Sequence, residues 1–160
     1  MARRPPLPPL NTAPALICTW FGAGRLPFAP GTWGSLAALP FAAFLDWLGG
    51  PWLLSAGCVI LFFAGTWATH LYLRVRGGTD PQDVVIDEVI GMSIALIGAP
   101  LELRDYALAV VLFRSFDILK PGPVTWVERR APGAWGVVLD DVLSGFFALL
   151  VLVVVRWIAA

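Results

Sequence analysis

Histidine occurs once in this 160-residue chain and cysteine twice, which removes most of the usual metal-binding and nucleophilic side chains. His70 stands outside every polar cluster and is expected to be structural. Cys18 and Cys58 lie among apolar neighbours without metal-ligand spacing. Neither a zinc site nor a disulfide framework is indicated, and both are read as small hydrophobes. Charge is scarce as well: Lys, Arg, Asp and Glu make up 14% of the residues, and eleven bases balance eleven acids. A net charge of zero offers no basic surface to a nucleic acid, so no such partner is expected. No internal repeat is visible, which counts against a transporter built from inverted halves.

Apolar residues are what the chain has in excess. They account for 58% of it, with eight tryptophans, against about 45–50% in an ordinary soluble domain. The expectation is an all-α, polytopic membrane protein with the bilayer as its first partner. The opening MARRPPLPPLNTAP is too rich in proline for a secretory signal. Residues 1–14 are read as a cytoplasmic tail and 15–160 as one helical membrane domain. Hydropathy suggests about five spans: Ser35–Leu48, Trp52–Leu73, Val84–Ala99, Tyr106–Leu119 and Val142–Ile158. Glycine and proline mark nearly every break between them. Arg3, Arg4, Arg25, Arg74, Arg76, Lys120, Arg129 and Arg130 fall on alternate connections, which orients the N-terminus and these loops towards the cytoplasm. Segments 21–35, 79–91 and 114–141 then meet at the cytoplasmic face. The number of subunits is not legible.

Those three segments hold nearly all the unusual residues. The first, FGAGRLPFAPGTWGS (21–35), is a loop rather than a helix, with Gly22, Gly24, Pro30, Gly31 and Gly34. Its backbone amides, together with Thr32, Ser35 and Arg25, could hold an anion, or it is an interfacial turn. The second, VVIDEVIGM (84–92), places Asp87 and Glu88 inside an apolar run, where each charge costs roughly 2.5–3.5 kcal/mol at the bilayer centre. The pair either complements a helix dipole or borders a polar cavity. In FRSFDILKPGP (113–123), Arg114, Asp117 and Lys120 recur every three residues. They form either an ion-pair ladder or, with two bases to one acid, an anion site. In GAWGVVLDDVLSG (133–145), Asp140 and Asp141 precede the longest apolar run.

Four carboxylates at one membrane face would repel one another without a counterion. Hard oxygen donors gathered in this way suit magnesium, which keeps waters and phosphate oxygens as its remaining ligands. Asp87, Glu88, Asp140 and Asp141 are the candidate ligands. With cations and a glycine-rich loop beside them, a phosphorylated lipid headgroup fits.

In order and wording the motifs resemble the phosphatidylglycerophosphatase A family over about residues 20–150. The family pattern is F-G-x-G-x-x-P…P-G-T-x-G-(S/T), D-E-x-x-G-M, F-R-x-x-D-x-x-K-P-x-P and D-D-x-x-(A/S)-G, and all four parts occur here. The resemblance implies a magnesium-dependent phosphatase of the bacterial inner membrane, working from the cytoplasmic side. It would convert phosphatidylglycerophosphate to phosphatidylglycerol and inorganic phosphate. It further implies catalytic roles for Asp87, Glu88, Arg114, Asp117, Lys120, Asp140 and Asp141. Gly22, Gly24, Pro30, Gly31, Thr32 and Gly34 match its loop; Arg25 is a candidate from the loop reading alone. Either water or an aspartate could attack the phosphorus. A phosphotransferase using CDP-activated alcohols would carry D-G-x-x-A-R, which this chain lacks.

Overall fold

The structure is a computed structural model that describes residues 7–77 and 81–159. Arg3 and Arg4 of the expected tail, and residues 78–80 between the second and third expected spans, lie outside the described residues. The fold is all-α, with no strand among the described residues. Its helices are α1 (Ala13–Cys18), α2 (Pro30–Arg76), α3 (Ile86–Ala95), α4 (Leu103–Leu119), α5 (Gly122–Arg130) and α6 (Ala134–Ala159), with a 3-10 turn at Ala23–Arg25.

Helix α2 is two arms in one. Pro30 opens it, where a missing N–H costs no hydrogen bond, and Gly77 closes it at φ 71, donating its N–H to the Leu73 carbonyl. In the middle Gly49 and Gly50 leave helical geometry, with Gly50 at φ 64, and Pro51 starts the second arm. Beyond the break Gly57 lies against Leu45 and Phe41. On a straight helix residues 45 and 57 would stand about 18 Å apart. The chain therefore doubles back as an antiparallel hairpin, and both ends of α2 reach the same end of the bundle.

Helix α3 runs through the centre. Nine of its ten residues are buried, enclosed by the second arm of α2 and by α6. Ile86 and Ile90 fill the space left by Gly65 on α2. Phe113 of α4 and Val138, Ala148 and Leu152 of α6 complete this core. Helix α4 returns along the bundle, and at the far end Asp105 at its start pairs with Arg156 near the end of α6, 3.1 Å apart.

The expected count of five spans is not met. Among the described residues two helices, α2 and α6, are long and apolar enough to cross a membrane. The first two expected spans are the arms of α2. The third shrinks to α3, about 15 Å long at 1.5 Å per residue, which is too short to cross and is buried except at Glu88. The fourth corresponds to α4, whose 17 residues include Arg104, Asp105, Arg114 and Asp117. The fifth lies within α6, which begins at Ala134. Asp140 and Asp141 are thus inside a helix rather than ahead of one.

Candidate active site

Asp87 and Glu88 occupy the first turn of α3, which has no side-chain cap. Neighbouring segments position that turn instead. The Val85 N–H donates to the Cys18 carbonyl at 2.8 Å. Gly24 packs on the Asp83 carbonyl and Gly34 on Val85, each so closely that a Cβ would collide. The Asp83 carboxylate accepts from the Tyr72 hydroxyl and faces Arg76 Nε at 3.4 Å.

The acid pair opens onto a cleft of about 480 Å³ at the end of the bundle where α2 begins and ends. Its walls carry Pro30 and Gly31 of α2, Gln82, Asp87 and Glu88, then Arg114, Asp117 and Lys120, and finally Gly133, Gly136, Asp140 and Asp141. Asp87, Glu88 and Asp141 each bring one oxygen to within 4.8 Å of the others. Glu88 Oε2 is buried with no hydrogen-bond partner, and burial pushes the Glu88 carboxyl above its usual range. Asp140, although adjacent in sequence, points elsewhere: its Oδ2 accepts from Lys120 Nζ at 2.7 Å. Arg114 Nη1 meets Asp117 Oδ2 at 2.6 Å.

The i,i+3 ladder is therefore only half formed. Arg114 pairs within α4, whereas Lys120 reaches across to α6. Lys120 is the cap residue after α4 and sits in the left-handed region at φ 43, ψ 66. Its carbonyl accepts from Thr125 Oγ1 of α5 at 2.6 Å. The surplus of positive charge expected from this motif also disappears once the cleft is assembled. Five carboxylates and two cations line it, so a phosphate dianion would meet net repulsion. Added cationic charge is what this donor set calls for. Three clustered carboxylates, one with an unsatisfied buried oxygen, fit a hard divalent ion of the magnesium class.

The glycine-rich segment is divided. Pro30 and Gly31 reach the cleft, and a Cβ on Gly31 would collide with the Glu88 carboxylate and crowd Arg114 Nη1. Gly22, Gly24, Arg25, Thr32, Gly34 and Ser35 are not on its lining. Arg25 donates to the Pro8 carbonyl, and the Ser35 hydroxyl to the Gly31 carbonyl at 2.9 Å. His70 is exposed on the second arm of α2, apart from the cleft. Gln82 and Ala131 line the cleft from outside the quoted motifs, and Val84, Gly133, Gly136 and Val137 line it from within them without having been given a role. Uncharged residues in turns and on apolar helix faces give no signal of their own.

Residues 16–156 match the family model described as Phosphatidylglycerophosphatase A. A protein of that name from Escherichia coli is 37% identical over 132 residues, covering 81% of this chain and 76% of the relative. Another, from Haemophilus influenzae, is 32% identical over 143 residues, 89% and 88% of the two chains. A protein from Bacteroides thetaiotaomicron, provisionally named phosphatidylinositol-3-phosphatase, is 41% identical over 158 residues, 91% and 94% of the two. No solved structure matches the chain. With the acidic and basic motifs gathered in one cleft and the family model covering residues 16–156, the chain belongs to the phosphatidylglycerophosphatase A family.

Proposed function

We propose that this phosphatase hydrolyses phosphatidylglycerophosphate to phosphatidylglycerol and inorganic phosphate, with magnesium as its cofactor. The carrying observation is the cleft itself, where three clustered carboxylates face two basic side chains. Asp87, Glu88 and Asp141 would hold the metal. When bound, it would offset the carboxylate charge and polarise the phosphate oxygens.

The chain's own groups do the rest. Arg114, kept in place by Asp117, presents planar donors to two non-bridging phosphate oxygens. Lys120, held by Asp140, supplies a point charge. Both strengthen their contacts as charge builds on the phosphoryl oxygens in the transition state. Overall, water adds to phosphorus, the P–O ester bond breaks, and the departing glycerol oxygen takes a proton. Gly31, lacking a Cβ, leaves room for the Glu88 carboxylate at the cleft wall.

We further propose a multi-pass location in the bacterial inner membrane with the cleft at the cytoplasmic surface. Trp47, Trp52, Ile60 and Phe63 on α2, and Leu150, Val154, Trp157 and Ile158 on α6, turn large apolar side chains outward. An apolar solvent accommodates such faces. Arg74, Arg76, Arg129 and Arg130 belong to the cleft end of the bundle, which the positive-inside rule orients to the cytoplasm.

A second reading, removal of phosphate from a phosphoinositide, is favoured by the name of the Bacteroides relative. The two readings share the cleft chemistry and differ in headgroup. Phosphate release by the purified protein from phosphatidylglycerophosphate, phosphatidylinositol 3-phosphate and phosphatidic acid, with and without magnesium, separates them. Preference for phosphatidylglycerophosphate supports the main reading. Preference for the phosphoinositide replaces it, and no release from any of them refutes both.

A further inference from the structure

Lys120 is the one residue of the cleft lining whose backbone is left-handed without being glycine. A long side chain rarely adopts φ 43, and helices that end in this way usually place glycine there. Such outliers persist only where their surroundings over-determine them. Here the Lys120 N–H closes the last turn of α4 on the Phe116 carbonyl at 2.9 Å. Pro121 follows, which disfavours the right-handed helical conformation at residue 120. The Lys120 carbonyl, turned away from the helix axis, is bonded by the Thr125 hydroxyl at 2.6 Å.

The geometry has a consequence for the ammonium group. Had α4 continued, residue 120 would have rotated about 100° past Leu119 on the helix surface, and its side chain would have stayed on α4. The left-handed step takes Lys120 off the helix, and Nζ then lies 2.7 Å from Asp140 on α6. Thr125, on the first turns of α5, is not part of the family motif and does not line the cleft. Its hydroxyl binds the oxygen whose orientation the left-handed step determines.

We infer that Thr125 is a positioning residue for the phosphatase reaction: its hydroxyl holds Lys120 in the left-handed conformation that aims the ammonium into the cleft. The inference rests on the reading of Lys120 as a phosphate contact. Because Thr125 acts through a charge used most in the transition state, its loss lowers kcat more than it raises KM.

The test uses the full chain in detergent–lipid micelles, with phosphatidylglycerophosphate as the probe and magnesium in excess. Thr125→Val keeps the shape and removes the donor; Thr125→Ser keeps the donor. Thr125→Val should lose about tenfold in kcat, the factor that about 1.4 kcal/mol represents, with KM little changed and thermal stability near that of the parent. Thr125→Ser should recover most of the turnover. Lys120→Met, assayed beside them, should be nearly inactive. Full turnover in Thr125→Val with an inactive Lys120→Met overturns the role of Thr125 and leaves that of Lys120 standing. Full turnover in Lys120→Met removes the reading beneath both. Thr125→Ser as weak as Thr125→Val, or a kcat loss matched by a collapse in stability, also overturns the inference, because the hydroxyl would then not be the operative group.

Discussion

Gly145 of α6 lies directly against Gly91 of α3: a Cβ at 145 would collide with the Gly91 carbonyl, and one at 91 would come 2.5 Å from the Asp141 carbonyl oxygen. The two glycines follow Asp87 and Asp141 by four residues each, so on each helix acid and glycine share a face one turn apart. Close approach of the glycines is what brings the two aspartates into the same cleft. Either Gly91→Ala or Gly145→Ala should therefore separate the helices, at about 1–3 kcal/mol of overpacking. Activity and divalent-ion affinity should fall together. Unfolding and Mn²⁺ titration of both variants check this, and unchanged affinity would show that the crossing does not set the acid spacing.

Adjacent aspartates should behave differently. Asp141→Asn removes a proposed ligand and is expected to weaken Mn²⁺ binding, read by electron paramagnetic resonance, by at least about tenfold. Asp140→Asn loosens the hold on Lys120, 2.7 Å away, and should lower turnover while leaving Mn²⁺ affinity nearly unchanged. Equal effects on affinity would place Asp140 among the ligands.

Arg114→Lys keeps the charge but cannot present two coplanar donors. The variant should fold and lose about a hundredfold or more in kcat, in the range of losing one oxyanion donor. The double variant Arg114→Met with Asp117→Leu removes the 2.6 Å ion pair as a unit and leaves no lone buried charge. It should be stable and inactive. An active double variant would return both residues to the scaffold.

Metal and pH should be linked. Burial raises the Glu88 carboxyl, so the metal-free protein gains from a protonated Glu88. That gain is full below the ordinary glutamate range and disappears as pH rises towards the raised value in the fold. Metal binding needs the ionised form and recovers stability on the alkaline side. The difference in melting temperature between magnesium and EDTA should therefore be larger at about pH 8 than at about pH 5. A difference that shrinks with rising pH would separate Glu88 from metal binding.

Local chemistry made much of this protein legible before its fold was known. The acid pairs in apolar runs, the bases at 114 and 120, and the breaks at Gly49-Gly50-Pro51 and Pro121 depend on the solvation of charge and on allowed backbone angles. Both are properties of short segments. They were enough to indicate helices and to bring the polar segments to one end. The number of spans was not legible, because an apolar run reads the same whether it faces lipid or, like α3, other helices. Which carboxylates group together was not legible either. Asp140 and Asp141 are neighbours in sequence but point about 100° apart on α6. Only the rotation of that helix, set where Gly145 meets Gly91, sends Asp141 to Asp87 and Glu88 and leaves Asp140 for Lys120. The glycines of 21–35 suggested an anion loop, yet Gly24 and Gly34 are pressed against Asp83 and Val85. Close backbone approach and ligand binding both select glycine, and only the contact partner distinguishes them.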